Sequence, residues 1–221
     1  MKLPSHFSSV KGFLDHNEGI CLYNHALSSS KKGPILEIGS YCGKSTIYLA
    51  TAAKEYNCSV YSIDHHTGSE ENQVGWEYHD IELFDEETGK INSFPEFMRN
   101  LRKANLLDTV IPIVSDSSLV SRDWKIPLSM VFIDGGHTME AAFNDFNNWK
   151  DKIIKYGENK ENEDVNDQGQ PAKVSTYHDG EEEGWLGCMT EAKAAHDKGG
   201  RVLEELQPSE RQYCAVYKML Q

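Results

Sequence analysis

Short apolar runs alternate with amphipathic segments along most of this chain. Four runs have the length and composition of buried strands, and each ends at a polar turn: 35–38, 59–63, 110–114 and 128–133. Apolar residues that recur at helical spacing predict helices at 17–30, 44–55, 94–105 and 138–153. Strands that alternate with helices favour a parallel sheet with helices packed on both faces.

The C-terminal part of the pattern is weaker. A fifth strand is predicted at 172–177 and a helix at 183–197. Two final strands, 202–206 and 213–220, flank a Gln-Pro-Ser sequence at 207–209 that suits a hairpin. The predicted fold is therefore α/β: a Rossmann-like three-layer αβα sandwich with a seven-stranded, mostly parallel sheet and an antiparallel terminal strand.

Length and composition fit one domain over residues 1–221, of which 38% are hydrophobic and 26% charged. Residues 1–33 are expected to form an N-terminal helical extension. The connection 65–95 is predicted to be a lid insertion, because connections this long in a compact domain are usually functional or mobile. Residues 157–171 are predicted to be a polar mobile loop, since they offer little apolar area to bury.

Charge and cysteine content restrict the partners. The net charge is −13, which argues against nucleic acid, because binding phosphates needs a concentrated basic surface. No apolar run approaches the roughly 20 residues of a membrane helix, and the N-terminus lacks the apolar core of a signal peptide. Five scattered cysteines without a Cys-x-x-Cys pair indicate reduced thiols. The expected location is cytoplasmic, with no membrane partner.

Residues 34–46, Pro-Ile-Leu-Glu-Ile-Gly-Ser-Tyr-Cys-Gly-Lys-Ser-Thr, combine a strand, a glycine turn and a helix start. This order is typical of a nucleotide-binding corner, where backbone approaches the ligand and helix N–H groups are free. A phosphate-binding P-loop fits poorly, because Gly39 lies one residue too close to Gly43. The dinucleotide pattern Gly-x-Gly-x-x-Gly also fits poorly, since its middle glycine is missing.

Three motifs carry a resemblance to class I S-adenosylmethionine-dependent methyltransferases. Residues 37–46 resemble motif I of that class, Glu/Asp-x-Gly-x-x-x-Gly, in the form found in small-molecule O-methyltransferases. Residues 61–64, Tyr-Ser-Ile-Asp, resemble the second motif, whose acid takes the ribose hydroxyls. Residues 131–137, Val-Phe-Ile-Asp-Gly-Gly-His, resemble the strand-four motif of methyltransferase family 24. Each motif alone is weak evidence for this class, but the three in this order over residues 35–137 are specific for it.

The resemblance implies a site for S-adenosylmethionine at the carboxyl edge of the sheet. Asp64 would accept hydrogen bonds from the ribose, and Glu37 would face the ammonium group directly or through water. Asp116 lies where the family contacts adenine, although an Asx turn or a helix N-cap explains it equally well. The expected cofactor-binding residues are Glu37, Gly39, Ser40, Tyr41, Gly43, Ser45, Asp64, His65, Ser115, Asp116, Ser117 and Asp134.

The resemblance also implies catalysis of O-methylation on a small hydroxylated acceptor. His137 and Asp134 are the expected catalytic residues, and His137 is the candidate general base because an imidazole titrates near neutral pH. The alternative is that His137 caps the helix at 138. Related O-methyltransferases hold Mg²⁺ through acids after strands four and five, which here correspond to Asp134, His178 and Asp179. Residues 169–177, which precede His178 and Asp179, are less apolar than the corresponding strand in the family. Whether a metal is bound therefore stays open.

Two rival functions stay open at this point. A cephalosporin hydroxylase-like enzyme would share the fold and an Asp-Gly-x-His type of ending at 134–137. A non-catalytic S-adenosylmethionine-binding protein would keep the cofactor residues without a working fifth strand. Relatives in the family often self-associate, so a homodimer is also left open.

Overall fold

A parallel sheet of five strands organises the part of the chain described by a computed structural model, residues 2–68, 80–135, 139–154 and 215–217. In chain order the strands are β1 (Ile35–Ile38), β2 (Val60–Asp64), β3 (Phe84–Asp85), β4 (Lys90–Ile91), β5 (Val110–Val114), β6 (Met130–Ile133) and β7 (Ala215–Tyr217). The order across the sheet is β5-β2-β1-β6-β7. The short strands β3 and β4 pair separately, as an antiparallel hairpin.

Five α-helices accompany the sheet in the described residues. They are α1 (His16–Ser29), α2 (Lys44–Lys54), α3 (Phe94–Ala104), α4 (Ser117–Ser121) and α5 (Met139–Trp149), with short 3₁₀ turns at Phe7–Ser9, Ile81–Leu83 and Lys150–Lys152. Helix α1 begins with a capping box, in which Asp15 accepts from the N–H of Asn17 and Glu18 accepts from the N–H of Asp15. The predicted helices over these residues are confirmed to within a few residues at each end. Among the described residues, no helix is long and apolar enough to cross a membrane.

Side chains alternate between the two faces of the sheet, and each face has its own layer. One face carries Ile35, Val60, Val110, Met130 and Phe132, which pack in one cluster with buried residues of α1, α2 and α3. The opposite face carries Tyr61, whose ring meets Trp124 edge-on at 4.9 Å. Trp124 in turn meets the fully buried Trp149 of α5 at 5.3 Å. The layered α/β architecture is therefore confirmed, with its core on both sides of the sheet.

The C-terminal strand corrects the sequence prediction. Strand β7 pairs in parallel with β6, with Ala215 opposite Val131 and Tyr217 opposite Ile133. The predicted antiparallel terminal strand is therefore wrong for this segment. The prediction depended on a local hairpin at 207–209, whereas the partner of β7 is β6, more than 80 residues earlier. Pairing between strands so distant is set by tertiary packing, which a local turn sequence does not report.

Other predictions for the C-terminal part remain predictions. The main sheet has five strands among the described residues, so the count of seven is not confirmed. The predicted strands at 172–177 and 202–206, the helix at 183–197 and the polar loop at 157–171 lie outside the described residues. The described residues belong to one compact unit, 1–154 with 214–218, and a single domain over 1–221 stays a prediction.

Gly39 joins the ends of three strands. Its N–H donates to the Ile63 carbonyl at 2.9 Å, and the Asp134 N–H donates to the Ile38 carbonyl at 2.8 Å. Gly39 has a φ of 85°, and a Cβ at this position would lie 2.3 Å from the Asp134 carbonyl oxygen. Only glycine fits here, because the loop after β1 packs directly on the backbone that follows β6.

We expect Gly39→Ala to destabilise the fold more than Gly89→Ala. Both positions have positive φ, 85° and 69°, but a Cβ at Gly89 would meet nothing within 4 Å. Gly89→Ala should therefore lower the free energy of unfolding only by the left-handed penalty of about 1 kcal/mol, while Gly39→Ala adds an overpacking cost of about 1–3 kcal/mol. Urea unfolding of both variants measures the difference. Equal losses would contradict a close backbone contact at Gly39.

Candidate functional site

The carboxyl ends of β1, β2, β5 and β6 meet at one edge of the sheet, as expected for a parallel ligand-binding sheet. The register aligns Ile38 with Ile63 on one side and with Ile133 on the other. The N–H of Ser115, after β5, donates to the Asp64 carbonyl at 3.2 Å. The structure therefore brings the loops that carry Asp64, Ser115 and Asp134 together.

Residues 39–43, called here the glycine loop, have an unusual backbone. Gly39, Tyr41 and Gly43 all have positive φ, at 85°, 47° and 89°. The N–H of Gly43 donates to the Ser40 carbonyl at 2.7 Å, which closes the turn immediately before α2. Tyr41 is the one residue of these three that is not glycine. A residue with a Cβ rarely adopts positive φ without support from its surroundings.

Asp64 supplies much of that support. Its Oδ2 accepts from the N–H groups of Ser40 and Tyr41, both at 2.8 Å. Its Oδ1 accepts from the N–H of His66 at 2.7 Å. A carboxylate has about four acceptor positions, and these three N–H groups use three of them. The side chain is 14% exposed, so Asp64 both holds the glycine loop and reaches the surface of the edge.

Glu37 is enclosed completely, with 0% of its surface exposed. The hydroxyls of Ser45 and Thr46, in the first turn of α2, donate to its two oxygens at 2.6 Å, and Ser62 donates at 2.7 Å. The Ser40 hydroxyl shares a hydrogen bond with Ser62, which links the glycine loop to this carboxyl. Burial raises the pKa of Glu37, while the three hydroxyl hydrogen bonds oppose that rise. A direct contact with a ligand's ammonium group would require the surrounding residues to move.

His66 was not among the predicted site residues, and the structure places it in the interior of the edge. It is 3% exposed, its Nδ1 lies 2.8 Å from the Ser93 hydroxyl, and its ring lies 5.1 Å from those of Phe94 and Phe97. Its side chain also hydrogen-bonds the backbone of Tyr41, and burial lowers its pKa. His66 therefore connects the glycine loop to the start of α3. A histidine following a strand-end acid gives no sequence signal for this burial.

His65, the neighbouring predicted cofactor residue, differs from His66. Its side chain is 50% exposed, and its Nδ1 lies 2.9 Å from the Thr67 hydroxyl. It lies on the outside of the edge, where it is accessible to a ligand.

Asp116 adopts the helix N-cap geometry that was one of its two explanations. Its Oδ1 accepts from the N–H groups of Ser118 and Leu119 at 2.9 and 3.3 Å, and from the Ser118 hydroxyl. The Ser118 hydrogen bond, with smaller contributions from the backbone N–H groups, keeps the pKa of Asp116 below its usual value. The capped helix α4 holds the loop after β5 at the edge of the sheet, beside the position expected for adenine.

Asp145 on α5 was missed by the sequence analysis. It is 8% exposed and accepts a short hydrogen bond from the Ser117 hydroxyl. Its Oδ2 would lie 3.6 Å from a Cβ on Gly135, so it borders the loop after β6. Burial raises its pKa. The sequence does contain a signal for this residue. Asp145 lies between Ala142 and Trp149 on the apolar side of a helix, where a charged group needs a partner.

Several predicted residues lie outside the described ranges. These are His137, His178 and Asp179. Asp134 is described and partly buried at the end of β6. Within the described ranges, no three His, Cys, Asp or Glu side chains are grouped as a metal site would require. Lys44, which a P-loop would use to bind phosphate, donates to the Gly12 carbonyl at 3.0 Å.

Comparison with known families assigns the chain to a family. A family model described as a methyltransferase domain matches residues 36–157, more than half of the chain. The chain belongs to this methyltransferase domain family. The matched range includes the glycine loop, Asp64, Asp116 and the ending of β6.

Solved structures with similar folds include the following three. Cofactor-bound Rv0187 from MTB is 19% identical with a TM-score of 0.47, over 70% of this chain and 56% of that one. An O-methyltransferase from Bacillus cereus in complex with SAH is 21% identical with a TM-score of 0.39, over 58% and 49%. The O-methyltransferase TomG from Streptomyces achromogenes in complex with SAM is 18% identical with a TM-score of 0.42, over 60% and 54%. This chain spans about half the length of these solved chains.

We expect His66 to make the fold less stable in acid. Its pKa is lower in the folded chain than the unfolded value of 6.5. Between these two values the unfolded chain binds a proton that the folded chain does not, so the free energy of unfolding falls as pH falls, by up to about 1.4 kcal/mol per pH unit. His66→Gln should flatten this slope in urea unfolding below pH 6.5.

The exposed neighbour provides a matched control. His65→Gln should keep the wild-type slope over the same pH range, because the His65 side chain is half exposed. A slope that is unchanged in His66→Gln would show that another group causes the acid sensitivity.

Proposed function

We propose that this protein is an S-adenosylmethionine-dependent methyltransferase that methylates an oxygen atom of a small hydroxylated acceptor. The observation that carries the proposal is the glycine loop, held on Asp64 in a chain of the methyltransferase domain family. The Glu-Ile-Gly-Ser-Tyr form of residues 37–41 supports the O-methyltransferase branch.

The residues at the edge fit a nucleoside better than a phosphate. Asp64 and Asp116 contribute negative charge there, which suits hydroxyl and amino donors and a cationic ligand but repels phosphate. Lys44, which a phosphate site would use, is engaged with the Gly12 carbonyl instead. The one acceptor position of Asp64 that no described N–H group uses is our candidate contact for a ribose hydroxyl.

When bound, S-adenosylmethionine would supply the methyl group: the acceptor oxygen bonds to the methyl carbon as the carbon–sulfur bond opposite breaks, and S-adenosylhomocysteine is the leaving group. The protein's task is then to hold the acceptor and to accept its proton, so positioning should contribute most of the rate. His137 is our candidate for the base that receives the hydroxyl proton, and Asp134 orients the acceptor from the end of β6. Ser115 and Ser117 border the proposed adenine position, together with the capped start of α4.

A divalent metal is a separate proposal. Asp134, His178 and Asp179 would supply the protein ligands, and of these only Asp134 is among the described residues. Carboxylate oxygens suit Mg²⁺, and a bound ion would lower the pKa of the acceptor hydroxyl. No step of the proposed reaction depends on it.

We expect the protein to bind S-adenosylmethionine and its product S-adenosylhomocysteine in calorimetry. Asp64→Asn should weaken binding by at least about tenfold, because an amide offers fewer acceptors to the loop and to the ligand. Asp108→Asn is the matched control, since this acid is exposed and bonds Lys54 before β5. Affinity unchanged in Asp64→Asn would place the ribose elsewhere, and no binding to the wild-type protein at millimolar ligand would end the proposal.

Turnover separates an enzyme from a non-catalytic binder. With methyl-labelled donor and a panel of catechols, sugars and hydroxy acids, we expect transfer to at least one acceptor and a loss of about 100-fold in His137→Gln. Addition of EDTA, followed by Mg²⁺, tests the metal in the same assay. Activity that persists in EDTA and in Asp134→Asn would remove the metal from the proposal, and methylated carbon or nitrogen in the product would contradict O-methylation.

A further inference from the structure

Three segments that are distant in sequence meet at the carboxylate of Asp80. Lys11, from the N-terminal segment, lies 2.7 Å from its Oδ2. The hydroxyl of Tyr41, from the glycine loop, donates to the same oxygen at 3.1 Å. Its Oδ1 accepts from the N–H of Glu82 at 3.0 Å, which caps the short 3₁₀ turn that follows. We call Lys11, Tyr41 and Asp80 the Asp80 cluster.

The Asp80 cluster is partly shielded from solvent. The side chain of Asp80 is 20% exposed and that of Lys11 33%. Burial raises the pKa of Asp80, but the hydrogen bonds from Lys11, Glu82 and Tyr41 outweigh it and keep the pKa below its usual value. Lys11 also lies 2.6 Å from Glu82, whose side chain is 75% exposed. Exposed pairs contribute little, so Glu82 is the weaker partner and a natural control.

The N-terminal segment 10–14 touches the glycine loop by other contacts as well. The ring of Phe13 stacks on that of Tyr41 with centroids 6.1 Å apart. The Gly12 carbonyl accepts from Lys44 at the start of α2, at 3.0 Å. Val10 and Leu14 anchor the two ends of the segment in the core, at 4% and 6% exposure. The segment is therefore held against the outer side of the loop along its length.

Tyr41 is the residue through which these contacts act on the site. Its backbone is in the left-handed region, with φ of 47°, and its N–H donates to Asp64. A non-glycine residue in this conformation needs external contacts to hold it. Asp80 and Phe13 hold the side chain while Asp64 holds the backbone, so the shape of the glycine loop depends on both ends of Tyr41.

We propose that Asp80 is a positioning residue for the cofactor site, which it shapes through Tyr41, and that Lys11 makes segment 10–14 part of that site. This role rests on the proposed function, because the glycine loop is taken to receive the methyl donor. Asp80 does not contact the ligand itself. Its loss should therefore weaken donor binding and leave the chemical step and acceptor binding intact.

A double-mutant cycle tests the proposal on the full chain. We expect Asp80→Asn and Tyr41→Phe each to raise the Kd for S-adenosylhomocysteine about three- to tenfold in calorimetry. The double variant should be no weaker than the worse single variant, because both changes remove one shared contact. Lys11→Met should weaken binding in the same direction. Glu82→Gln removes an equal charge beside Lys11 without touching Tyr41, so its Kd should stay within twofold of wild type.

Steady-state kinetics and proteolysis distinguish positioning from general damage. Asp80→Asn should raise KM for the methyl donor with kcat unchanged, whereas a misfolded protein would lose kcat. Tryptic cleavage after Lys11 should be several times faster in Asp80→Asn and unchanged in Glu82→Gln, and this measurement needs no ligand. If Asp80→Asn fails to fold, Tyr41→Phe carries the binding test.

Failure of the proposed function and failure of the proposed role of Asp80 give different results. A wild-type protein that binds neither methyl donor nor product overturns the proposed function and this role with it. Wild-type binding that Asp80→Asn and Tyr41→Phe leave unchanged, or that the two changes weaken additively, overturns the role of Asp80 alone.

Discussion

The hydrogen bonds from the N–H groups of Ser40 and Tyr41 to Asp64 are the constraint on which the functional edge depends. They turn two backbone donors of the glycine loop inward, onto a carboxylate at the end of the neighbouring strand. Because charge-assisted hydrogen bonds of this kind are stronger than neutral ones, they offset the unfavourable left-handed backbone of Tyr41. The neighbouring loops then follow, since Gly39 packs on Asp134 and Ser115 bonds to the Asp64 backbone.

Buried carboxyl groups surround this edge, and hydroxyls rather than cations satisfy them. Glu37 takes three hydroxyl hydrogen bonds, and Asp145 takes one from Ser117. Burial raises the pKa of both groups, and the hydroxyl hydrogen bonds oppose that rise without supplying a countercharge. Because a raised pKa favours the neutral carboxyl group, negative charge at this edge comes instead from Asp116, whose pKa stays below its usual value. Such an edge favours a cationic or hydroxyl-rich ligand over an anionic one.

Local sequence patterns predicted the strands and helices around this edge well. They predicted poorly which strands pair and which residues distant in sequence come into contact. Strands β1 and β5 begin and end at the predicted residues, because short, mostly apolar runs bounded by turn residues mark strands. The direction of β7 was wrong, because its partner lies far away in sequence. His66 and Asp145 were not among the predicted site residues for a similar reason. Each is polar, and each becomes a site residue only when folding buries it between two loops.

The sequence alone determined the layered α/β fold, the glycine loop, and the family to which the spaced motifs belong. These depend on periodicity and on glycines at fixed separations, which are properties of neighbouring residues. Only the tertiary structure decided how the loop is held: Asp64 on its backbone, Asp80 and Lys11 on the Tyr41 side chain, and Glu37 enclosed by hydroxyls. The contacts of Asp80 with Tyr41 and Lys11 join residues that are 39 and 69 positions apart, and no local pattern records which distant side chains meet.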